Sequence, residues 1–287
     1  VINENLKNRF EIKYSEYEDV KKIDNIKHNI IRECLKLLNI KQGMEISSFS
    51  GVPHGTGLGS SGSFTVCLLK GLFFFKNIKI SNKELALKAY HIERNILKQP
   101  VGYQDQLTAA CGGLLLQEYT KNKIYVKNLK INRTFKKNFD SRLILIYSGI
   151  TRFSKKILKK QDNLSKQNNK KIVSRLDEIK KNSYEIYENS IKNNLKDYGK
   201  YLDLYWNIKT KIDKKITNKK INQIIKICKK NNVDGCRVVG AGAGGYILAH
   251  SKNFKKLKNK LIKNNILFLP IKIEEKGVSI IDSYNKI

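Results

Sequence analysis

Apolar positions along the chain follow two periods, and the change of period marks out its elements. Phe10-Glu-Ile-Lys-Tyr14 alternates and reads as a strand, and Met44 to Phe49 predicts another. Between Ile23 and Leu38 the apolar residues Ile26, Ile30, Ile31, Cys34, Leu37 and Leu38 fall at helical spacing and predict a core-facing helix. A helix is predicted over 61–76. Another runs over 81–98, opened by the capping box of Ser81 and Glu84 and stopped by Pro100. A short small-residue helix comes next at 106–111. Leu114 to Tyr119 and Lys123 to Lys127 predict a hairpin, and Ser141 to Tyr147 a buried strand. Residues 153–196 predict two helices broken near Asn168-Asn169, followed by helices over 197–212 and 219–231. The pattern ends with strands at 236–239 and 246–250, a helix over 254–263, and strands at 268–273 and 278–281. Helices and neighbouring strands in mixed order predict an α+β chain of two domains. Their junction is expected near residue 138, in the polar Lys-Asn-Phe-Asp stretch, giving domains of 1–138 and 139–287.

Composition narrows the class. Apolar residues make up 40% of the 287, enough for a folded core. The longest apolar run, Phe64 to Phe75, is broken by Lys70 and is too short to cross a bilayer, so no membrane partner is expected. The first residues have no signal-peptide pattern. Five scattered cysteines without CxxC spacing argue against a zinc site or a disulfide framework, and for a reducing cytoplasm. The net charge of +32 has two readings. One is nucleic-acid or anionic-membrane binding. The other is a genome rich in A and T, whose codons favour Lys, Asn and Ile. The lysines are scattered and lack interleaved aromatics, which favours the second and argues against a specific nucleic-acid partner.

One stretch dominates the chemistry: Pro53-His-Gly-Thr-Gly-Leu-Gly-Ser-Ser-Gly62. Gly55, Gly57, Gly59 and Gly62 let the backbone take positive φ and let a bulky group come close. A helix comes directly after, with Ser60 or Ser61 as the expected N-cap. A glycine loop that ends in serines and opens a helix can cradle phosphate, because its free N–H groups and the helix dipole point at the anion. The serine hydroxyl is placed to meet a metal ion carried on that phosphate. The loop has no Gly-Lys-Ser/Thr ending, so this is not a Walker loop.

A second glycine stretch, Gly240-Ala-Gly-Ala-Gly-Gly245, satisfies GxGxxG. The segment after it, from Tyr246, is strand-like, and Lys260 stands where a ribose-binding acid would be expected, so the dinucleotide reading fails. Taken alone, it could be a tight β-turn. Asp105, in Gln104-Asp-Gln106, could serve as a general base or simply cap the helix at 106–111. Glu93 lies on a predicted helix where its one-turn neighbours, Ala89, Tyr90, Ile96 and Leu97, are not basic, so the helix offers it no ion-pair partner. Arg152 comes after Ser148-Gly-Ile-Thr151 at a strand end, where it could hold a phosphate by a bidentate contact or be an exposed residue starting a helix. Trp206 and Lys209 share one helical turn, and either could face a substrate.

The motif Pro53-x-x-x-Gly57-Leu58-Gly59-Ser60-Ser61-Gly62 resembles the central ATP-binding motif of the GHMP kinases, the superfamily of galactokinase, homoserine kinase and mevalonate kinase. Val52 to Leu69 together with Val101 to Gly113 most resembles its branch of kinases acting on heptose 7-phosphates. The resemblance implies a two-domain fold with a ribosomal-protein-like N-terminal domain and a ferredoxin-like C-terminal domain. It implies transfer of the γ-phosphate of ATP to a sugar hydroxyl, here the anomeric hydroxyl of D-glycero-D-manno-heptose 7-phosphate, a precursor of surface polysaccharide. Fucose-, galactose- and mevalonate-type kinases are the alternatives. By the same resemblance, Pro53, Gly55, Gly57, Leu58, Gly59, Ser60, Ser61 and Gly62 bind ATP, Asp105 is the catalytic base, and Ser61 and Glu93 hold Mg2+. Gly240, Gly242, Gly244 and Gly245 form a turn supporting the phosphate loop and the substrate. The family's N-terminal hairpin, which supplies a basic partner for the catalytic aspartate, has no counterpart in this chain. A nucleotide-binding scaffold without activity is therefore a rival expectation, and a basic nucleic-acid-binding protein on a ribosomal-protein-like fold is another.

Overall fold

A computed structural model describes residues 1–53, 55–151, 170–194 and 196–281. The chain forms two compact units. Of the described residues, the first comprises Val1–Val52, Gly59–Gly113 and 275–281, and the second those within Pro53–Leu58 and Leu114–Glu274. The chain thus passes between units after Gly113, and the junction expected near 138 falls inside a helix, Arg133–Ser141.

In the first unit, β1 (Ile2–Glu4), β2 (Phe10–Lys13), β3 (Tyr17–Val20) and β4 (Met44–Ser47) form one sheet in the order β1-β4-β2-β3. β2 and β4 run parallel, with Ile12 opposite Ile46, and the two other pairs are antiparallel. The expected alternation holds: Phe10, Ile12, Met44 and Ile46 are all buried. Helix α1 (Asn29–Leu37) is shorter than its apolar pattern suggested, because residues 23–25 form a separate 3-10 turn. Glu18, itself buried, accepts the backbone N–H groups of Lys27 and His28 and holds the chain at the entry to α1.

Helices α2 (Ser60–Phe75), α3 (Asn82–Tyr90) and α4 (Gln104–Cys111) pack on one another in the same unit. The capping box at Ser81 and Glu84 forms as expected. The helix beyond it does not stay α. Residues His91–Ile96 make a π-turn, in which Leu97 N–H donates to Ile92 C=O five residues back. The expected strand at 278–281 is absent. Val278 N–H instead donates to Ala109 C=O at 2.9 Å, holding this segment against α4.

The second unit holds the hairpin β5 (Leu115–Tyr119) and β6 (Ile124–Asn128) and an antiparallel sheet in the order β10-β7-β9-β8, made of β7 (Leu143–Tyr147), β8 (Gly235–Val238), β9 (Tyr246–His250) and β10 (Phe268–Pro270). On one face Ile144, Ile146, Val238, Ile247 and Ala249 form the core with residues of α8 (Lys219–Lys230) and α9 (Lys255–Lys263). On the other, Leu143 and Leu248 meet Phe135 and Phe139 of α5 (Arg133–Ser141), Ile186 of α6 (Lys170–Ile191) and Tyr198 of α7 (Tyr198–Ile212).

Leu69, in the middle of α2, is fully buried. Leu69→Ala is expected to cost about 2–5 kcal/mol of stability through lost burial and a residual cavity. A chemical-denaturation midpoint measures it.

Candidate functional site

The glycine-rich loop leads into α2 as the phosphate reading requires, but not with the expected cap. Gly59, at φ 68°, is the N-cap residue, and no side chain caps the helix. Ser60 and Ser61 lie inside the first turn, which leaves Ser61 free for another partner. Ser61 Oγ donates to Glu93 Oε2 at 2.6 Å. Glu93 stands on the π-turn with no exposed surface. Its second oxygen, Oε1, accepts from Gln106 Nε2 at 2.8 Å. Three helical segments therefore converge on one carboxylate.

Asp105 is the second residue of α4, whose N-cap is Tyr103, so Asp105 does not occupy the capping position. It lies directly against the loop. A Cβ on Gly59 would stand 2.9 Å from Asp105 Cγ, and one on Gly62 would stand 3.1 Å from Asp105 Cβ. At Gly59 the positive φ and the carboxylate together require glycine. Burial raises the Asp105 pKa, and the charge of Glu93 raises it further. Among the described residues neither carboxylate has an ion-pair partner. Among the described residues Gln106 Oε1 is also buried without a hydrogen bond. One buried acid, Glu93, a second acid beside it, Asp105, and an orphaned carbonyl oxygen form a site short of positive charge, in a chain of net charge +32. Ser61 and Glu93 offer a hydroxyl and a carboxylate side by side, a donor set that suits magnesium, which takes few protein oxygens and fills its shell with phosphate and water.

In the second unit, the start of the loop and the second glycine stretch pack as neighbours. Pro53, Gly55, Gly57 and Leu58 belong to this unit, and Thr56 Oγ1 donates to Pro53 C=O at 2.9 Å. Tyr246 N–H donates to Thr56 C=O at 3.3 Å. A Cβ on Gly245, at φ 81°, would collide with that same carbonyl oxygen, and one on Gly240 would stand 2.7 Å from Gly57 C=O. The turn is held from behind as well. Lys209, buried on α7, donates from Nζ to Gly240 C=O at 2.7 Å, and Gly245 N–H donates to Ile150 C=O at 2.8 Å. Gly242 packs against Ile216, and Gly244 is buried in the same turn. Arg152 lies outside the described residues.

Two roles are not visible in the sequence. Gln106 binds Glu93, and its only signal is a polar residue inside a small-residue helix. Lys209 stands out beside Trp206, but its partner is a backbone carbonyl that no motif could reveal.

Comparison with known proteins identifies a GHMP kinases N terminal domain at residues 27–113. The chain is 28% identical over 241 residues to the D-glycero-alpha-D-manno-heptose 7-phosphate kinase of Campylobacter jejuni, an alignment covering 82% of this chain and 70% of that protein. It is equally identical, 28% over 241 residues, to the mevalonate kinase of Methanocaldococcus jannaschii, covering 82% and 72%. Among solved structures it resembles a D-glycero-D-manno-heptose 1-phosphate kinase from Bacteroides thetaiotaomicron, with TM-score 0.75, 19% identity, and 96% and 84% of the two chains covered.

The site generates two expectations. An acid with a raised folded pKa is still protonated at pH values where the unfolded chain has already ionised. Asp105 therefore withdraws stability as pH climbs from the ordinary aspartate value of about 3.9 through its folded pKa. Asp105→Asn is expected to be more stable than the wild type at pH 7, with the gap closing below about pH 4. Thermal unfolding across that range reads it directly. Gly245→Ala must accept both the strained φ and the collision with Thr56, and is expected to lose more than roughly 1 kcal/mol in the same measurement.

Proposed function

Because the chain carries a GHMP kinase N-terminal domain on the GHMP-kinase fold, we propose that it transfers the γ-phosphate of ATP to a hydroxyl of a small molecule. The observation that carries this reading is Asp105 pressed against Gly59 and Gly62, with Glu93 and Ser61 beside it. Pro53 opens the loop, and Gly55, Gly57, Leu58, Gly59, Ser60, Ser61 and Gly62 cradle the triphosphate with backbone N–H groups. Asp105 accepts the proton of the attacking hydroxyl and orients its oxygen towards the γ-phosphorus. Its raised pKa makes it a stronger base once it is ionised. Magnesium, when bound, would be held by Ser61 and Glu93 and would supply the positive charge that the two acids and a triphosphate lack. Gln106 fixes the rotamer of Glu93, and the Gly240–Gly245 turn, anchored by Lys209, holds the start of the loop in place.

The acceptor in this reading is a sugar phosphate, D-glycero-D-manno-heptose 7-phosphate, supported by the Campylobacter relative. The mevalonate kinase of Methanocaldococcus jannaschii shares the same percentage identity, so a mevalonate-type alcohol is the second reading. ATP as co-substrate and five cysteines, all of them free, fit a cytoplasmic enzyme. No helix among the described residues is long and apolar enough to cross a membrane.

ADP release with Mg-ATP and a panel of heptose 7-phosphate, fucose, galactose and mevalonate tests the reading. Turnover on the heptose phosphate is expected, falling by about 10²–10⁴-fold in Asp105→Asn while ATP binding persists. Turnover on mevalonate alone would transfer the assignment to the second reading. ATP binding without turnover on any acceptor would support the inactive scaffold, and failure to bind ATP would remove the phosphate-loop assignment.

A further inference from the structure

A second polar cavity lies in the unit that holds β7 and β9, well away from the glycine turn. Tyr246, next to that turn, begins β9, and His250 ends it. Four residue steps of extended chain separate them, about 13 Å. The cavity beside His250 has a volume of about 460 Å³. Its inner wall includes Phe135 and Phe139, both buried.

Its polar groups are nearly all donors. Arg142, Lys196 and Lys252 line it, and among the described residues none of the three has an ion-pair partner. Three asparagines are oriented by their own structural bonds. Asn132 Oδ1 accepts from Phe135 N–H as the N-cap of α5, Asn193 Oδ1 accepts from Asn132 N–H, and Asn194 Oδ1 accepts from Lys196 N–H. With each carbonyl oxygen committed to backbone, each amide presents its NH₂ group. Among the described residues these NH₂ groups have no acceptor.

His250 supplies an independent observation. It has no exposed surface, and among the described residues neither ring nitrogen makes a hydrogen bond. Nδ1 is 3.1 Å from Asp234 Oδ2, close enough for attraction but not aligned for a hydrogen bond. Buried polar atoms are rarely left without partners unless a ligand or water completes them. Asp197, the other acid near this rim, is exposed and paired with Lys200.

We propose that this cavity binds the phosphoryl group of a small molecule, at a site separate from the kinase centre. Cations and oriented amides contact the phosphoryl oxygens, and Phe135 and Phe139 lie against whatever the phosphate is attached to. The site needs no chemistry there, so it is a binding site for a regulator or a product.

The test tracks the His250 ring by NMR while inorganic phosphate is added at constant ionic strength. The chain has four histidines, and the His250 signal is assigned by substituting the other three singly. The expected result is a saturable shift of the His250 Cε1–H signal that chloride does not produce. Arg142→Gln and Lys252→Gln should each weaken it about tenfold, the effect of losing one charge-assisted contact. Circular dichroism checks that both variants fold. A silent His250, a shift that grows without saturating, or unchanged affinity in both variants would overturn the proposal. None of these outcomes depends on kinase activity, so the two assignments stand or fall separately.

Discussion

Glu93 is completely buried, and both of its oxygens are engaged. Ser61 reaches it from the first turn of α2, and Gln106 reaches it from the first turn of α4. The carboxylate therefore fixes the start of one helix against the start of another, and Asp105 rides on the second of them. A neutral core would hold such helices together at less cost, because burying charge without a countercharge is unfavourable. The arrangement makes sense as a site completed by a cation. The raised pKa of Asp105 reflects desolvation first and the neighbouring Glu93 charge second.

Backbone does the corresponding job in the second unit. The loop start and the Gly240–Gly245 turn meet through carbonyls, N–H groups and bare Cα atoms, so their separation is set by the peptide itself. Side chains hold the turn only from outside, Lys209 through the Gly240 carbonyl and Ile216 against Gly242. Each support acts on a rigid turn and so constrains a position several residues away.

Much of this was legible in the sequence. The loop, α2, the capping box, the hairpin and β7 to β9 were all indicated by period and turn chemistry, and the glycine stretch was correctly excluded as a dinucleotide fingerprint. The misses have physical reasons. β1 and β3 are three and four residues long and largely polar, too short for alternation to register. The stretch taken as a junction holds Phe135 and Phe139, one helical turn apart, which bury α5 against the sheet. Ser61 looked like a cap because its competing partner is 32 positions away in sequence. Val278 to Ile281 looked like a strand because local pattern cannot tell a ladder from a segment docked on a helix.

The π-turn at His91–Ile96 adds one constraint of another kind. A π-turn closes its hydrogen bond five residues back, so it holds one more residue than a turn of α-helix. Glu93 therefore reaches Ser61 and Gln106 through the number of residues in its turn as well as through its own identity. The site is encoded partly as a length, and a comparison of amino-acid types that ignores gaps would not see that part.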